Sequence, residues 1–298
     1  MPTERWPALL LREWMPTYAT LHMWSQIVGK ICLASTPLVN HFWNVTFRVT
    51  ARGFATQTLF HGAREFQIVF DFIDHQLVIE AADGARRTLA LEPMTVAAFH
   101  ERVMSTLRAM DLDVRIWPVP VEIPDPIPFA KDVTHASYDR EQAHRCWRVF
   151  SEAHRVLTDF RTGFIGKCSP VHFFWGGFDL AVTRFSGRRA PERPGADKVT
   201  RESYSHEVIS HGFWPGGGAV ADAAFYAYAA PEPDGFRTAA VRPAAARYGT
   251  VFGGEYVLMY DDVRASSSPD RTVRDFLEST YEAGASLAKW NRAELERH

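Results

Sequence analysis

The stretch EFQIVFDFIDHQLVIEAADGARRTLAL, residues 65–91, decides the fold class. β-Branched and aromatic residues fill it, and turn signals at Asp74-His75 and Asp83-Gly84 divide it into two or three strands. Strands joined by turns this short pair antiparallel, because a parallel pair needs a crossover of about a dozen residues or more. Amphipathic helices flank the strands. In TYATLHMWSQIVGKICLASTP (17–37), Leu21, Trp24, Ile27, Val28 and Ile31 recur at three- and four-residue steps; in TVAAFHERVMSTLRAM (95–110), Val96, Phe99, Val103 and Leu107 share one face. Between the first helix and these strands, NHFWNVTFRVTARG (40–53) has strand composition.

The second half repeats this order. DREQAHRCWRVFSEAHRVLTDF (139–160) sets Cys146, Phe150, Ala153, Leu157 and Phe160 on a helix capped by Asp139. SPVHFFWGGFDLAVTRFSG (169–187), SHEVISHGFW (205–214), AAFYAYAA (223–230) and EYVLMY (255–260) read as strands, and a last helix starts at Ser268-Pro269. PLVNHFWNVTFRVTARG and SPVHFFWGGFDLAVTRFSG share a proline, a His-Phe-Trp cluster, a Phe, a Val-Thr and a closing glycine. The expected fold is therefore α+β, made of two similar helix, antiparallel-sheet, helix units related by a pseudo-twofold, the product of a tandem duplication. Residues 1–116 form the first unit, and residues 139–298 form the second, which carries the expected site. Residues 117–138 link them: five prolines in WPVPVEIPDPIPF (117–129) forbid helix, and the interleaved apolar residues suit packing on the body. The polar stretch SGRRAPERPGADKVTRESYS (186–205) has the length of a binding loop.

Composition narrows the function classes. A hydrophobic fraction of 46% with 13% aromatics supports a packed core and excludes disorder. The 33 basic and 35 acidic residues are interspersed, without the basic stripe that nucleic acid requires. No apolar run approaches the roughly 18 residues that span a bilayer, and the amino terminus does not read as a signal peptide. Three widely spaced cysteines, Cys32, Cys146 and Cys168, fit reduced thiols in the cytoplasm. The expected partner is a small molecule, not nucleic acid or membrane; a homodimer is a further expectation.

Within SHEVISHGFWPGGG (205–218), His206, Glu207 and His211 form the densest grouping of metal-ligating side chains. The spacing departs from the HExxH helix motif, and Val208-Ile209 favours a strand. On a strand Glu207 and His211 stand about 13 Å apart, so joint ligation needs a bend, for which Gly212 and Gly216 to Gly218 offer the freedom. With His172 as third ligand, the set His172, Glu207, His211 suits zinc or non-haem iron. Cys168, Ser169 and His172 form a weaker nucleophile grouping without a GxSxG elbow. Charged residues inside apolar strands, Arg48, Asp179 and Arg184, together with His41, His172, Trp43 and Trp175, suit an aromatic pocket with a few convergent polar groups.

TLHMWSQIVGK, VRIWPVPVEIPDPIPF, THASYD, FIGKCSPVHFFWGGFDLAVTRFSGRRAPERPGAD, SHEVISHGFWPGGG, AFYAYAAPEP and VRPAAARY together resemble the bacterial family of unknown function DUF5996, over nearly the whole chain. The resemblance implies membership of a full-length family and supplies no role for any residue. The side chains themselves point to a small-molecule-binding protein acting as an enzyme with a His/carboxylate site, suited to metal-assisted hydrolysis or oxidation. Glu207, His172 and Asp179 are the expected catalytic groups, and Arg184, Trp175, Trp214, Arg48 and His41 the expected substrate contacts, Arg184 holding an anion. The competing reading is a non-catalytic ligand-binding or interaction module without a metal.

Overall fold

The computed structural model describes residues 5–217, 220–250 and 254–297, so Gly218 of the glycine run lies outside the described residues. The first sheet is built from β1 (Arg48–Val49), β2 (Gly53–Ala55), β3 (Leu59–His61), β4 (Arg64–Asp71), β5 (Gln76–Ala81) and β6 (Arg86–Ala90). Its order is β1-β2-β4-β5-β6, with β3 paired to the opposite end of β4 from β2. Both expected turns are present. His75 takes a left-handed φ of 54° after Asp71 Oδ1 accepts the backbone N–H groups of Ile73 and Asp74, and Gly84 takes φ 88°.

The expectation of strand at 40–45 is corrected. Asn40–Val45 is a 3-10 turn in which His41 and Phe42 both have φ 58°. Side chains compete with the ladder here. Asn44 Oδ1 accepts from the Val39 N–H at 3.1 Å, and Glu202 Oε1 accepts from the His41 N–H at 3.2 Å.

The first helix, α1 (Leu11–Ser35), starts earlier than the periodicity suggests and runs through Pro16, which costs one main-chain bond. Every residue from Thr20 to Cys32 is buried, so α1 is an interior helix. It packs on α2 (Val96–Ala109) and α3 (Arg140–Thr162). Thr95 and Asp139 cap those two helices, their side chains accepting from Ala98 and Gln142.

The second sheet contains β7 (His172–Phe174), β8 (Asp179–Arg189), β9 (His206–Trp214), β10 (Ala224–Ala230), β11 (Arg247–Gly249) and β12 (Glu255–Met259), in the antiparallel order β11-β12-β10-β9-β8-β7. Short helices α4 (Lys198–Ser203), α5 (Tyr260–Ala265) and α7 (Arg292–Leu295) lie between and after its strands in the chain, with α6 (Pro269–Leu287) starting at the expected proline. The two sheets meet where Phe47 and Phe173 exchange both backbone hydrogen bonds, at 2.9 and 2.8 Å. Arrangement and composition together make the protein α+β. Among the described residues no helix is long and apolar enough to cross a membrane.

Strand alternation gives the second sheet two faces with different duties. Leu180, Val182 and Arg184 on β8, with Ile209, His211 and Phe213 on β9, face α3 and α6. Ala181 and Thr183, with Ser210, Gly212 and Trp214, share the opposite face with Tyr226 and Tyr228 of β10. That face looks toward α1 and the proline segment.

Candidate functional site

A cavity of about 880 Å³ lies between the inner face of the second sheet, α1 and the proline segment. Asp179, Trp214, Tyr226, Tyr228 and Glu255 come from the sheet, Met15, Tyr18 and His22 from α1, and Glu122 from the proline segment. Arg193 and Tyr204, from the stretch expected to be a binding loop, also line it.

Glycines bring these groups together. Tyr226 on β10 pairs with Gly212 on β9, which pairs with Ala181 on β8. A Cβ built at Gly212 collides with the Tyr226 ring and the Leu180 carbonyl oxygen, so only glycine lets that ring lie across β9. The Tyr226 hydroxyl thereby donates to Asp179 Oδ2 at 2.5 Å. A Cβ at Gly176 likewise collides with the Glu122 carboxylate, and one at Gly177 stands 3.0 Å from Asp179 Oδ1.

Glu122 is fixed from α1. Gln26 Nε2 donates to the Val121 carbonyl at 2.6 Å while Gln26 Oε1 accepts the Val121 N–H at 2.9 Å, as a neighbouring strand does. The next residue, Glu122, takes a left-handed φ of 58°, uncommon outside glycine. It belongs to an exposed segment, yet its carboxylate lies against Gly176, where burial raises its pKa.

Charge in the cavity is one-sided. Burial pushes the Asp179 carboxyl up to about 7; the Tyr226 hydrogen bond opposes this and the Glu122 charge adds to it. Burial, then the charge of Asp179, pushes Glu255 up to about 7. None of Glu122, Asp179 and Glu255 has an ion-pair partner among the described residues. His22 adds no positive charge at neutral pH, since burial lowers it to about 4 and its Nε2–H donates to the Gly176 carbonyl at 2.7 Å. Glu232, also lining the cavity, is matched by Arg237 at 2.8 Å and by the Tyr248 hydroxyl. Arg193 is exposed and lies over the Tyr204 ring, 4.2 Å from its centroid.

Of the catalytic, metal and substrate-contact residues expected from the sequence, Asp179 and Trp214 line this cavity and the others do not. The expected metal set is corrected: His172, Glu207 and His211 do not converge. Among the described residues no group of three or more His, Cys, Asp or Glu side chains could hold a metal ion. Alternation turns Glu207 and His211 away from the cavity, whereas His172, paired with Ala181, faces the other way. Glu207 is paired to Arg188 at 2.6 Å and accepts from Ser186, and His211 is buried against Phe160 with Nε2 3.1 Å from the Thr280 hydroxyl. A zinc or iron site on these three residues therefore has no geometric basis.

The other expected contacts have structural duties. The Arg184 guanidinium stacks 3.5 Å from the Phe160 centroid and donates to the Phe160 carbonyl, on the helix-covered face. The Trp175 indole donates to the Val45 carbonyl at 2.9 Å. Arg48 is exposed on β1, outside the cavity lining. His41 Nδ1–H donates to the Glu202 carbonyl at 3.1 Å, leaving Nε2 to accept from the Lys167 ammonium at 2.7 Å. The Cys168, Ser169, His172 grouping is also corrected, because Ser169 donates to the Pro170 carbonyl and both His172 ring nitrogens lack partners.

His172 makes a pH prediction. Burial lowers its pKa from 6.5 to about 3 in the fold. Below 6.5 the unfolded chain takes up a proton that folded His172 refuses, so this group costs stability as pH falls toward 3, by about 1.4 kcal/mol per pH unit. His172→Leu removes that contribution. The stability of the variant relative to the parent, from urea unfolding, is expected to rise as pH falls from 6.5 to 4.5; a constant difference refutes the assignment.

Sequence reasoning did not single out Glu122, Glu255 or His22. Only Tyr226 and Tyr228 had left a signal, the large-small alternation of AFYAYAA. No curated protein and no solved structure matches the chain. One family model does, over residues 6–297, nearly the full length, so the chain that builds this carboxyl-rich cavity belongs to the family of unknown function DUF5996.

Proposed function

We propose that this chain binds a small organic molecule in the cavity and moves a proton to or from it through Asp179. One observation carries the reading: a buried carboxyl inside an aromatic-walled cavity, held by a single tyrosine hydroxyl and pushed up to about 7. A proton carrier works best when its pKa lies near the working pH. Tyr226 orients the carboxyl and stabilises its ionised form. No metal is needed for this role.

The test begins with a thermal-shift screen of metabolite-like compounds, each stabilising compound then being followed by NMR for conversion. Conversion by the parent protein is expected to fall by roughly 10²- to 10⁴-fold in Asp179→Asn, with the thermal shift retained. Compounds that bind and are never converted sink the proton-transfer role. They leave the second reading, a non-catalytic carrier, which is favoured by the aromatic lining and by the neutral, hydrogen-bonded His22.

The same proposal takes residues 1–116 and 139–298 as copies of one ancestral unit. Each half runs helix, antiparallel sheet, helix, which supports duplication; the insertion of β12 between β10 and β11 is a departure within the second copy. Three free cysteines, two of them buried, support a reducing, cytoplasmic setting.

A further inference from the structure

We propose that the ligand of this cavity is a protonated amine on an apolar or aromatic body, its ammonium group bound by Glu255 beside Asp179 and Glu122. The proposal rests on the reading of the cavity as a ligand site. Glu255 is 6% exposed and lines the cavity, yet it accepts no hydrogen bond and forms no ion pair among the described residues. A buried carboxylate without a donor is costly, and no described residue donates to this one. The donor has to come from whatever fills the space.

The rest of the cavity selects the same kind of occupant. Glu122 and Asp179 lie close enough to raise each other's cost of ionisation, and Asp179 and Glu255 do likewise. An ammonium group among them relieves both repulsions. The aromatic rings of Tyr18, Trp214, Tyr226 and Tyr228 attract cations and cover apolar carbon. The volume suits a small organic molecule.

An anionic ligand meets the opposite situation. Arg184, the cation expected to hold it, sits on the far face of the sheet against Phe160. His22 is neutral, and Arg193, over Tyr204, is the cationic side chain among the described lining residues. Three carboxyl groups oppose that one guanidinium. An ammonium ion also holds Asp179 ionised, ready to accept a proton.

Three probes of one shape and different charge test this on the full chain: 2-phenylethylamine, 2-phenylethanol and phenylacetate, titrated by calorimetry at pH 7.5. The amine is expected to bind at least about tenfold more tightly than the alcohol, with phenylacetate weakest. Glu255→Gln, nearly isosteric, is expected to remove about tenfold of amine affinity and leave alcohol affinity within about threefold, its folding checked by a melting temperature no lower than the parent's. Alcohol binding equal to amine binding, or a preference for phenylacetate, overturns the amine assignment while the cavity remains a ligand site. Binding of none of the three also overturns it. The thermal-shift screen separately reads whether the cavity takes any ligand, so the two failures are told apart.

Discussion

Replacing Gly212 by alanine is expected to lower folding stability by about 3 kcal/mol or more. The added methyl group has no space on either side. The Leu180 carbonyl it meets belongs to the neighbouring strand, and moving it breaks the ladder between β8 and β9 at the centre of the sheet. Rotating Tyr226 away instead abandons the hydrogen bond to Asp179 and fills part of the cavity with a displaced ring. Gly249→Ala is the control, since its Cβ enters open space at an ordinary backbone angle, and little change is expected there. Urea unfolding of both variants checks this. Similar losses at the two positions mean that Gly212 is not the slot the Tyr226 ring requires.

The second large effect concerns Arg184, whose two truncations are expected to differ. Arg184→Ala is expected to cost about 3 to 5 kcal/mol, and Arg184→Met less than about 1.5 kcal/mol. The side chain is 1% exposed, its guanidinium stacked on Phe160 and lying 4.3 Å from the Tyr281 ring centroid. Its Nε has no partner, and burial lowers its pKa. Alanine leaves a void among these rings. Methionine fills it without burying a charge and forfeits mainly the hydrogen bond to the Phe160 carbonyl. Equal losses in both variants, measured by chemical denaturation, show that the charge-to-ring contacts dominate over volume.

These two positions also show what a sequence can and cannot disclose. Local signals were readable: the turns at His75 and Gly84, the cap at Asp139, and the proline that starts α6 are each set by residues a few places apart. Which side of a strand a residue takes was partly readable, because Asp179 and Arg184 are five apart and must point oppositely on a regular strand. Grouping them into one pocket put nearness in sequence ahead of that alternation. His172 was joined to Glu207 and His211 on residue type alone, and the cross-strand register sets it on the opposite face. What could not be read was pairing between distant elements: Glu122 and Glu255 enter the same cavity only because Gln26 holds the proline segment and β12 lies beside β10. The turn at 40–45 escaped for a related reason, since Glu202, far along the chain, holds His41 in its left-handed conformation.

The burial of α1 carries a consequence for the order in which the molecule can be made. Tyr18 and His22 pack on Phe178, while Trp6 just ahead of the helix packs on Phe225 and Tyr260 and donates to Asp270. A chain emerging from the ribosome can cover part of α1 with α2 and α3, but the face carrying Tyr18 and His22 stays exposed until Phe178, made more than 150 residues later, arrives to cover it. Contacts this distant slow folding and lengthen the interval in which apolar surface can find the wrong partner. That face of α1 is among the later surfaces to be sheltered, and the turn that shelters it leads straight into the strand that brings Asp179 to the cavity.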